Sequence, residues 1–315
     1  MSVGVTISPA LPTWRDPAAW TRTADLFVVL IALALPWSTS LVAIFAAAWL
    51  VTLVPTLEIK SFLQTLKRPI CALPFALFAL AAVGTIWSDA PWGSRLYAVG
   101  PTAKLLVLPA LIYHFERSSR GIWVFIAFLA SCTLLMAMSW IVAFDPRLAL
   151  KSGAEYGVPV KNYIDQSQEF ALCPVALAYP IATFFRTKGY LLAALLTAIA
   201  ASFVVNMMFV IVSRTALVTM PIMLAVFALL HLRWRNVVML VCMIPILAGG
   251  AWVASPTLRA KTAAFSEDYR LYKERNEPTS IGLRLEFWQK SLRFFAESPI
   301  IGHGTGSTRG LFEQA

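Results

Sequence analysis

An apolar stretch of 44 residues, from Gly189 to Leu232, limits the possible folds of this chain more than any other feature. At about 1.5 Å per helical residue, it is about twice as long as a helix that crosses the apolar core of a bilayer. Its one charged residue is Arg214, within the polar triplet Ser213-Arg214-Thr215. We therefore predict two membrane-spanning helices that turn at this triplet.

Apolar runs recur throughout residues 1–254. Hydrophobic residues make up 59% of the chain and charged residues 13%, whereas soluble domains carry about 25% charged residues. This composition excludes a soluble domain and predicts an all-α, polytopic transmembrane helical bundle of about nine spans, with more in a longer protein. The predicted spans are Asp25–Trp37, Leu41–Val54, Pro69–Trp87, Val99–Tyr113, Ile122–Phe144, Glu169–Phe185, Tyr190–Val212, Ala216–Leu232 and Val237–Ala254.

The basic residues at the ends of the spans predict the orientation of the bundle. With the N-terminus in the cytoplasm, most Lys and Arg residues of the short loops lie inside, as the positive-inside rule expects. The predicted inner residues are Arg15, Arg22, Lys60, Lys67, Arg68, Arg117, Arg120, Arg186, Lys188, Arg233 and Arg235; the outer ones are Arg95, Arg147, Lys151, Lys161 and Arg214. Because the net charge of +10 follows the span ends, we expect no nucleic-acid partner.

The first apolar stretch is broken at Pro36-Trp37-Ser38. A tight turn there gives two helices, and one kinked helix is the alternative. The charge pattern favours two helices, since one span fewer would place the later basic loops on the wrong side.

We predict a transmembrane domain of residues 1–254, followed by a large outer helical loop of residues 255–315. Within the loop we predict an amphipathic helix near residues 280–296, which Ser298-Pro299 ends. Its apolar residues recur at helical spacing, and they are Leu283, Phe287, Trp288, Leu292 and Phe295.

Several basic residues on the predicted outer side are candidates for binding an anion. Arg214 is either an interfacial anchor with its charged end in water or a guanidinium that binds phosphate oxygens in pairs. Arg284 and Arg293 are either solvated charges that pair with acidic neighbours or ligands of the same anion. Lys104 and Lys161 add positive charge to that side.

His303 is the one histidine on the predicted outer side, within Gly302-His303-Gly304-Thr305-Gly306. Histidine suits general-base chemistry near neutral pH, but a histidine between glycines can equally be a mobile loop residue. The glycine-rich segment lacks the Lys-Ser/Thr pair of a nucleotide-binding loop. The four cysteines lie in apolar runs and show no disulfide or metal-ligand spacing.

Three segments together resemble the O-antigen ligase and O-antigen polymerase superfamily. They are Ser213-Arg214-Thr215-Ala216, Arg284 with Phe287-Trp288, and Ser298-Pro299-Ile300-Ile301-Gly302-His303-Gly304-Thr305-Gly306. The resemblance implies a metal-independent, membrane-embedded GT-C-like glycosyltransferase of the bacterial inner membrane. Its donor is an undecaprenyl-diphosphate-linked glycan and its acceptor the lipid A–core oligosaccharide, at the periplasmic face.

The same resemblance implies roles for individual residues. Arg214 and Arg284 bind the diphosphate and stabilise its developing charge, supported by Lys104, Lys161 and Arg293. A histidine activates the acceptor hydroxyl. In the family we expect it in a His-Asn-like motif downstream of the glycine loop, followed by about three further spans, and within this chain the candidate is His303.

Two alternatives remain. An O-antigen polymerase or a protein O-oligosaccharyltransferase differs from the ligase in its acceptor and shares its donor. A lipid-linked glycan flippase or transporter belongs to another class and predicts ionisable residues along a central path and two related halves, which the sequence does not indicate.

Overall fold

The computed structural model describes residues 16–151, 155–275 and 279–315. Every regular element in these ranges is helical, which confirms the all-α fold class. The α-helices are α1 Pro17–Ala34, α2 Thr39–Leu53, α3 Ile59–Leu66, α4 Pro69–Val83, α5 Trp92–Ala103, α6 Val107–Phe115, α7 Gly121–Phe144, α8 Tyr163–Arg186, α9 Tyr190–Phe209, α10 Arg214–His231, α11 Trp234–Ala254, α12 Pro256–Arg275, α13 Ser280–Glu297 and α14 Thr308–Gln314.

Within the described ranges, 7 helical segments are long and apolar enough to cross a membrane, or 8 if a bent pair counts as one span. That pair is α3 with α4, which meet at an angle of 89°. The predicted eighth span corresponds to the shorter apolar helix Thr215–His231. The chain is therefore a multi-pass membrane protein.

The seven full-length segments differ at their ends from the predicted spans. They are Pro17–Ala34, Thr39–Thr56, Trp92–Phe115, Gly121–Phe144, Tyr163–Arg186, Tyr190–Phe209 and Val237–Ala254. The segment expected from Glu169 begins earlier because the Asn162 side chain accepts a hydrogen bond of 2.8 Å from the Asp165 amide and caps the helix at Tyr163.

The chain turns at Pro36, which confirms two helices rather than one kinked helix. α1 ends at Ala34, whose carbonyl oxygen accepts hydrogen bonds from the amides of Trp37 and Ser38. The Trp37 indole donates a hydrogen bond of 2.8 Å to Ser131 Oγ and so fixes the turn against α7.

A second predicted turn, at the triplet around Arg214, is also confirmed. α9 ends at Phe209 and α10 begins at Arg214. The residues between them, from Val210 to Ser213, are buried and not helical. The Ser255 hydroxyl donates a hydrogen bond of 2.7 Å to the Met208 carbonyl, which joins the end of α9 to the start of α12.

The described residues form two compact units. Unit 1 contains residues up to 27, 47–122 and 268–315, and unit 2 contains residues 28–46 and 123–267. The core of unit 2 lies between α7, α8, α9 and α10, with Leu135, Phe170 and Phe203 fully buried. In unit 1, α3, α4, α5 and α6 pack on one another. The sequence predicted a transmembrane domain that ends at Ala254 and an outer loop after it. The two units do not test this membrane boundary, so it stays a prediction.

Polar contacts tie together the segments of unit 1 that were predicted to be cytoplasmic. His114 Nε2 lies 3.0 Å from Asp25 Oδ1, and the Ser118 hydroxyl donates to the same oxygen. Arg68 pairs with Glu116. These segments therefore lie at one end of the unit, as the predicted topology requires.

Candidate functional site

The glycine loop, residues 302–306, follows α13 in unit 1 and lies on the loop that joins α4 to α5. The Thr305 amide donates a hydrogen bond of 2.8 Å to the carbonyl oxygen of Gly84. The Trp87 indole donates one of 3.1 Å to the carbonyl oxygen of Ile301. One backbone–backbone bond and one side-chain–backbone bond thus join two segments that are far apart in sequence.

Two glycines in this loop have no room for a side chain. Gly304 has φ +82° and Gly306 has φ +93°, in the left-handed region that favours glycine. A Cβ atom at Gly304 would lie 2.5 Å from Ser88 Cα, and one at Gly306 would lie 2.8 Å from Arg95 Cα. Conformation and close packing therefore both require glycine here.

Arg95 fixes the loop on which the glycine loop rests. Its Nε donates a hydrogen bond of 2.6 Å to the Ala90 carbonyl and its Nη1 one of 2.9 Å to the Thr85 carbonyl. Its guanidinium lies 4.6 Å from the ring centre of Trp92. From the sequence, Arg95 was predicted only to be a charged residue on the outer side. Its hydrogen-bond acceptors are backbone carbonyls, and these cannot be recognised from the order of side chains in the sequence.

His303 is held in place by the last turns of α13. Its Nε2 lies 3.0 Å from the carbonyl oxygen of Phe294, and its ring meets the Phe294 ring edge-on. A carbonyl can only accept, so Nε2 carries a hydrogen, and in the neutral imidazole Nδ1 is then the acceptor. The role of His303 as a general base stays a prediction.

Two cavities of unit 1 meet at His303. The larger, about 470 Å³, is bounded by the α4–α5 loop and α14 and includes Asp89, Ser94 and Ser307. The smaller, about 270 Å³, lies against α13 and includes Ser291 and Phe295. Either cavity therefore has room for a hydroxyl-bearing group next to His303.

Arg284 is the one basic residue of α13 without an acidic partner in the described ranges. Lys290 pairs with Glu286 at 2.8 Å, and Arg293 pairs with Glu297 at 3.0 Å. Arg284 is exposed. It lies two helical turns before Ser291, on the same face of α13. Its positive charge is therefore available to an anion.

Arg214 is the first residue of α10 in unit 2, directly after the buried residue Ser213. The position of its backbone is thus fixed by packing, while its side chain lies outside those that the structure describes. Arg214 and Arg284 belong to different units, and each is described only within its own.

The part of the chain that carries these residues, 198–315, matches the model of the O-antigen ligase family. This segment belongs to the O-antigen ligase family. The match covers Arg214, Arg284 and the glycine loop, and it confirms the resemblance predicted from them. Comparison of the chain with curated proteins and with solved structures gives no match.

The match of this segment to the O-antigen ligase family indicates the class of function. It supports a function of the O-antigen ligase or polymerase type, and therefore a glycosyltransferase-like enzyme that acts on a lipid-linked glycan. The apolar helices provide the membrane setting for such a substrate.

The remaining predicted anion ligands differ in how their charge is compensated. Lys161 is mostly buried in unit 2, where it donates to the Leu35 carbonyl and lies 3.5 Å from a Glu169 carboxylate oxygen. Arg293 pairs with Glu297 at the surface. Lys104 is exposed at the turn between α5 and α6. Of these three, only Lys104 has no acidic partner in the described part of the chain.

Among the residues that the structure describes, no group of three or more His, Cys, Asp or Glu side chains could hold a metal ion. The expectation that the chemistry uses neither a metal nor a cofactor stays a prediction.

Proposed function

We propose that this protein is a lipopolysaccharide O-antigen ligase. It transfers a glycan from undecaprenyl diphosphate to the lipid A–core oligosaccharide at the periplasmic face of the bacterial inner membrane. One observation supports this most directly: the O-antigen ligase match covers a loop in which His303 is fixed with a free acceptor nitrogen beside two cavities.

In the proposed reaction, His303 is the general base. Its Nδ1 takes the proton of an acceptor hydroxyl, while Nε2 remains bonded to the Phe294 carbonyl. The hydroxyl oxygen forms a bond to the anomeric carbon of the glycan as the bond from that carbon to the diphosphate oxygen breaks. The electron pair of that bond leaves with undecaprenyl diphosphate, and the proton stays on the imidazole.

The leaving diphosphate gains negative charge, and we propose that Arg214 and Arg284 bind it. A guanidinium donates paired hydrogen bonds to phosphate oxygens, and each charge-assisted bond contributes about 1.5–3 kcal/mol. The lack of an acidic partner at Arg284 supports this role. Lys104, Lys161 and Arg293 add positive charge, with the charge of Lys161 offset by Glu169 and that of Arg293 by Glu297.

The contact between the glycine loop and the α4–α5 loop supports the proposed sidedness. Both segments were expected outside, and hydrogen bonds between them require that they lie on one side of the membrane. The predicted cytoplasmic segments of unit 1 meet at His114 and Asp25 instead.

The experiment is glycan transfer by the purified protein from an undecaprenyl-diphosphate-linked glycan. Three acceptors are supplied in parallel: lipid A–core oligosaccharide, a second lipid-linked glycan, and an acceptor protein. A ligase forms product with the first, a polymerase with the second, and a protein O-oligosaccharyltransferase with the third. A flippase moves the donor across vesicles and forms no product, which would overturn the proposal.

A parallel reaction with a chelator tests the proposed chemistry. We expect the same rate with and without it, since guanidinium groups replace a metal at the diphosphate. Loss of transfer on chelation, restored by a divalent cation, would contradict the metal-independent mechanism.

A further inference from the structure

An open cavity lies in unit 2, at the end of α10 opposite Arg214. It measures about 840 Å³. It is bounded by the last residue of α8, the last turn of α10 and the start of α11, and these residues are Arg186, Leu230, His231, Leu232, Arg233 and Arg235. Three arginines therefore surround one open cavity in which no acidic residue takes part.

These arginines differ from those at the predicted cytoplasmic end of unit 1. There, Arg68 pairs with Glu116, Arg117 with Glu58, and Arg120 with Asp25. In the described part of the chain, Arg186, Arg233 and Arg235 form no ion pair. The sequence gives the reason, since residues 170–266 contain no Asp or Glu.

Uncompensated arginines that share a cavity repel one another and attract an anion. Guanidinium groups suit phosphate oxygens in particular, because their donors form a planar fork. The cavity thus has the charge of a phosphate site, and none of the residues that bound it is among those proposed above for the glycan reaction.

The apolar surroundings indicate which phosphate fits. Leu230 bounds the cavity and is 74% exposed, and Trp234, directly beside the arginines, is 73% exposed. An exposed Trp beside basic residues is typical of the membrane interface, where lipid headgroups meet acyl chains. A phospholipid would place its phosphate among the arginines and its chain along Leu230, whereas a free anion would leave Leu230 uncovered.

We propose that this cavity binds the headgroup phosphate of an anionic phospholipid in the leaflet at that end of unit 2, predicted to be the cytoplasmic one. Basic pockets between the cytoplasmic ends of membrane helices are known to bind such headgroups. The site does not depend on the glycan chemistry proposed above.

The test is native mass spectrometry of the purified protein in detergent, titrated with phosphatidylglycerol or with phosphatidylcholine. The variant Arg233→Gln/Arg235→Gln is compared with Lys60→Gln/Lys67→Gln, which removes two exposed charges from the predicted cytoplasmic side of unit 1. We expect saturable binding of phosphatidylglycerol that is about 25-fold weaker in the arginine variant, since each basic residue near an anionic surface contributes about a factor of five. The lysine variant should bind like the unchanged protein.

Three outcomes overturn the proposal. Equal binding of both lipids, or equal loss in both double variants, would show a general interfacial attraction. Displacement of phosphatidylglycerol by inorganic phosphate at similar concentration would show a free-anion site. Size-exclusion profiles establish that each variant is folded, and if the double variant aggregates, Arg186→Gln alone carries the same test with an expected change of about fivefold.

Discussion

The Thr305 amide donates its hydrogen to the carbonyl oxygen of Gly84 across 2.8 Å, so the loop that carries His303 is attached to the loop after α4. Both partners of this bond are backbone groups, so it forms only where the two backbones come close together. The position of His303 therefore depends on how closely the two backbones approach, and this dependence can be tested at the glycines.

Gly304→Ala should reduce glycan transfer far more than it reduces stability. The new Cβ would lie 2.5 Å from Ser88 Cα and would require φ +82°, so the loop must shift. Displacement of a catalytic group by about 1 Å can cost about a hundredfold in rate. Transfer rate and thermal unfolding are measured together on the purified variant.

Gly93→Ala is the matched control for that substitution. Gly93 lies in α5, and a Cβ atom there meets nothing within 4 Å. Alanine is the better helix former, so stability should stay equal or rise by about 0.5–1 kcal/mol with transfer unchanged. If Gly304→Ala were as active as Gly93→Ala, the close approach to Ser88 would have no bearing on the reaction.

Arg95→Lys should lower kcat and leave KM for the donor nearly unchanged. Lysine keeps the charge but cannot bond the Thr85 and Ala90 carbonyls together through a fixed planar group. The α4–α5 loop, which the glycine loop contacts, should then be less ordered, whereas the residues proposed to bind the diphosphate are unchanged. Arg147→Lys, at an exposed arginine of unit 2, is the control. An increase in KM with kcat unchanged would show that Arg95 acts through the donor instead.

Much of the fold could be predicted because its determinants are local. Pro36 cannot continue a helix, and a charged residue within an apolar stretch identified the turn before Arg214. The third span shows the limit of this approach. Thr85-Ile86-Trp87 extends the apolar run, so a helix was expected to Trp87, but it ends at Val83 and the Gly84 carbonyl bonds Thr305 instead. The hydropathy of the third span cannot reveal a hydrogen-bond partner that lies so far away in the sequence.

For the candidate site, residue type and motif proposed Arg284 and His303, and their roles stay predictions. The pairing of Lys161 with Glu169 was not found, because it depends on α8 starting six residues earlier than its apolar run. The support from Arg95 was missed because its acceptors, the Thr85 and Ala90 carbonyls, are backbone groups.

Arg284→Gln should reduce transfer by about 10-fold to 150-fold, the loss of a charge-assisted bond of about 1.5–3 kcal/mol to the diphosphate. Lys290→Gln on the same helix is the control, because its charge is already compensated by Glu286 at 2.8 Å. A surface pair of this kind contributes about 0.3–0.5 kcal/mol, so this variant should transfer normally. Equal activity of both variants would exclude Arg284 from diphosphate binding.

His303→Gln separates a catalytic role from a structural one. The glutamine amide can still donate to the Phe294 carbonyl, so the loop should keep its position, but it cannot take a proton from the acceptor. We expect a loss of about 10²–10⁴ in rate with little change in thermal unfolding. A variant that kept the rate of the unchanged protein would place the base at another residue, and His303 would then serve only to hold the glycine loop against α13.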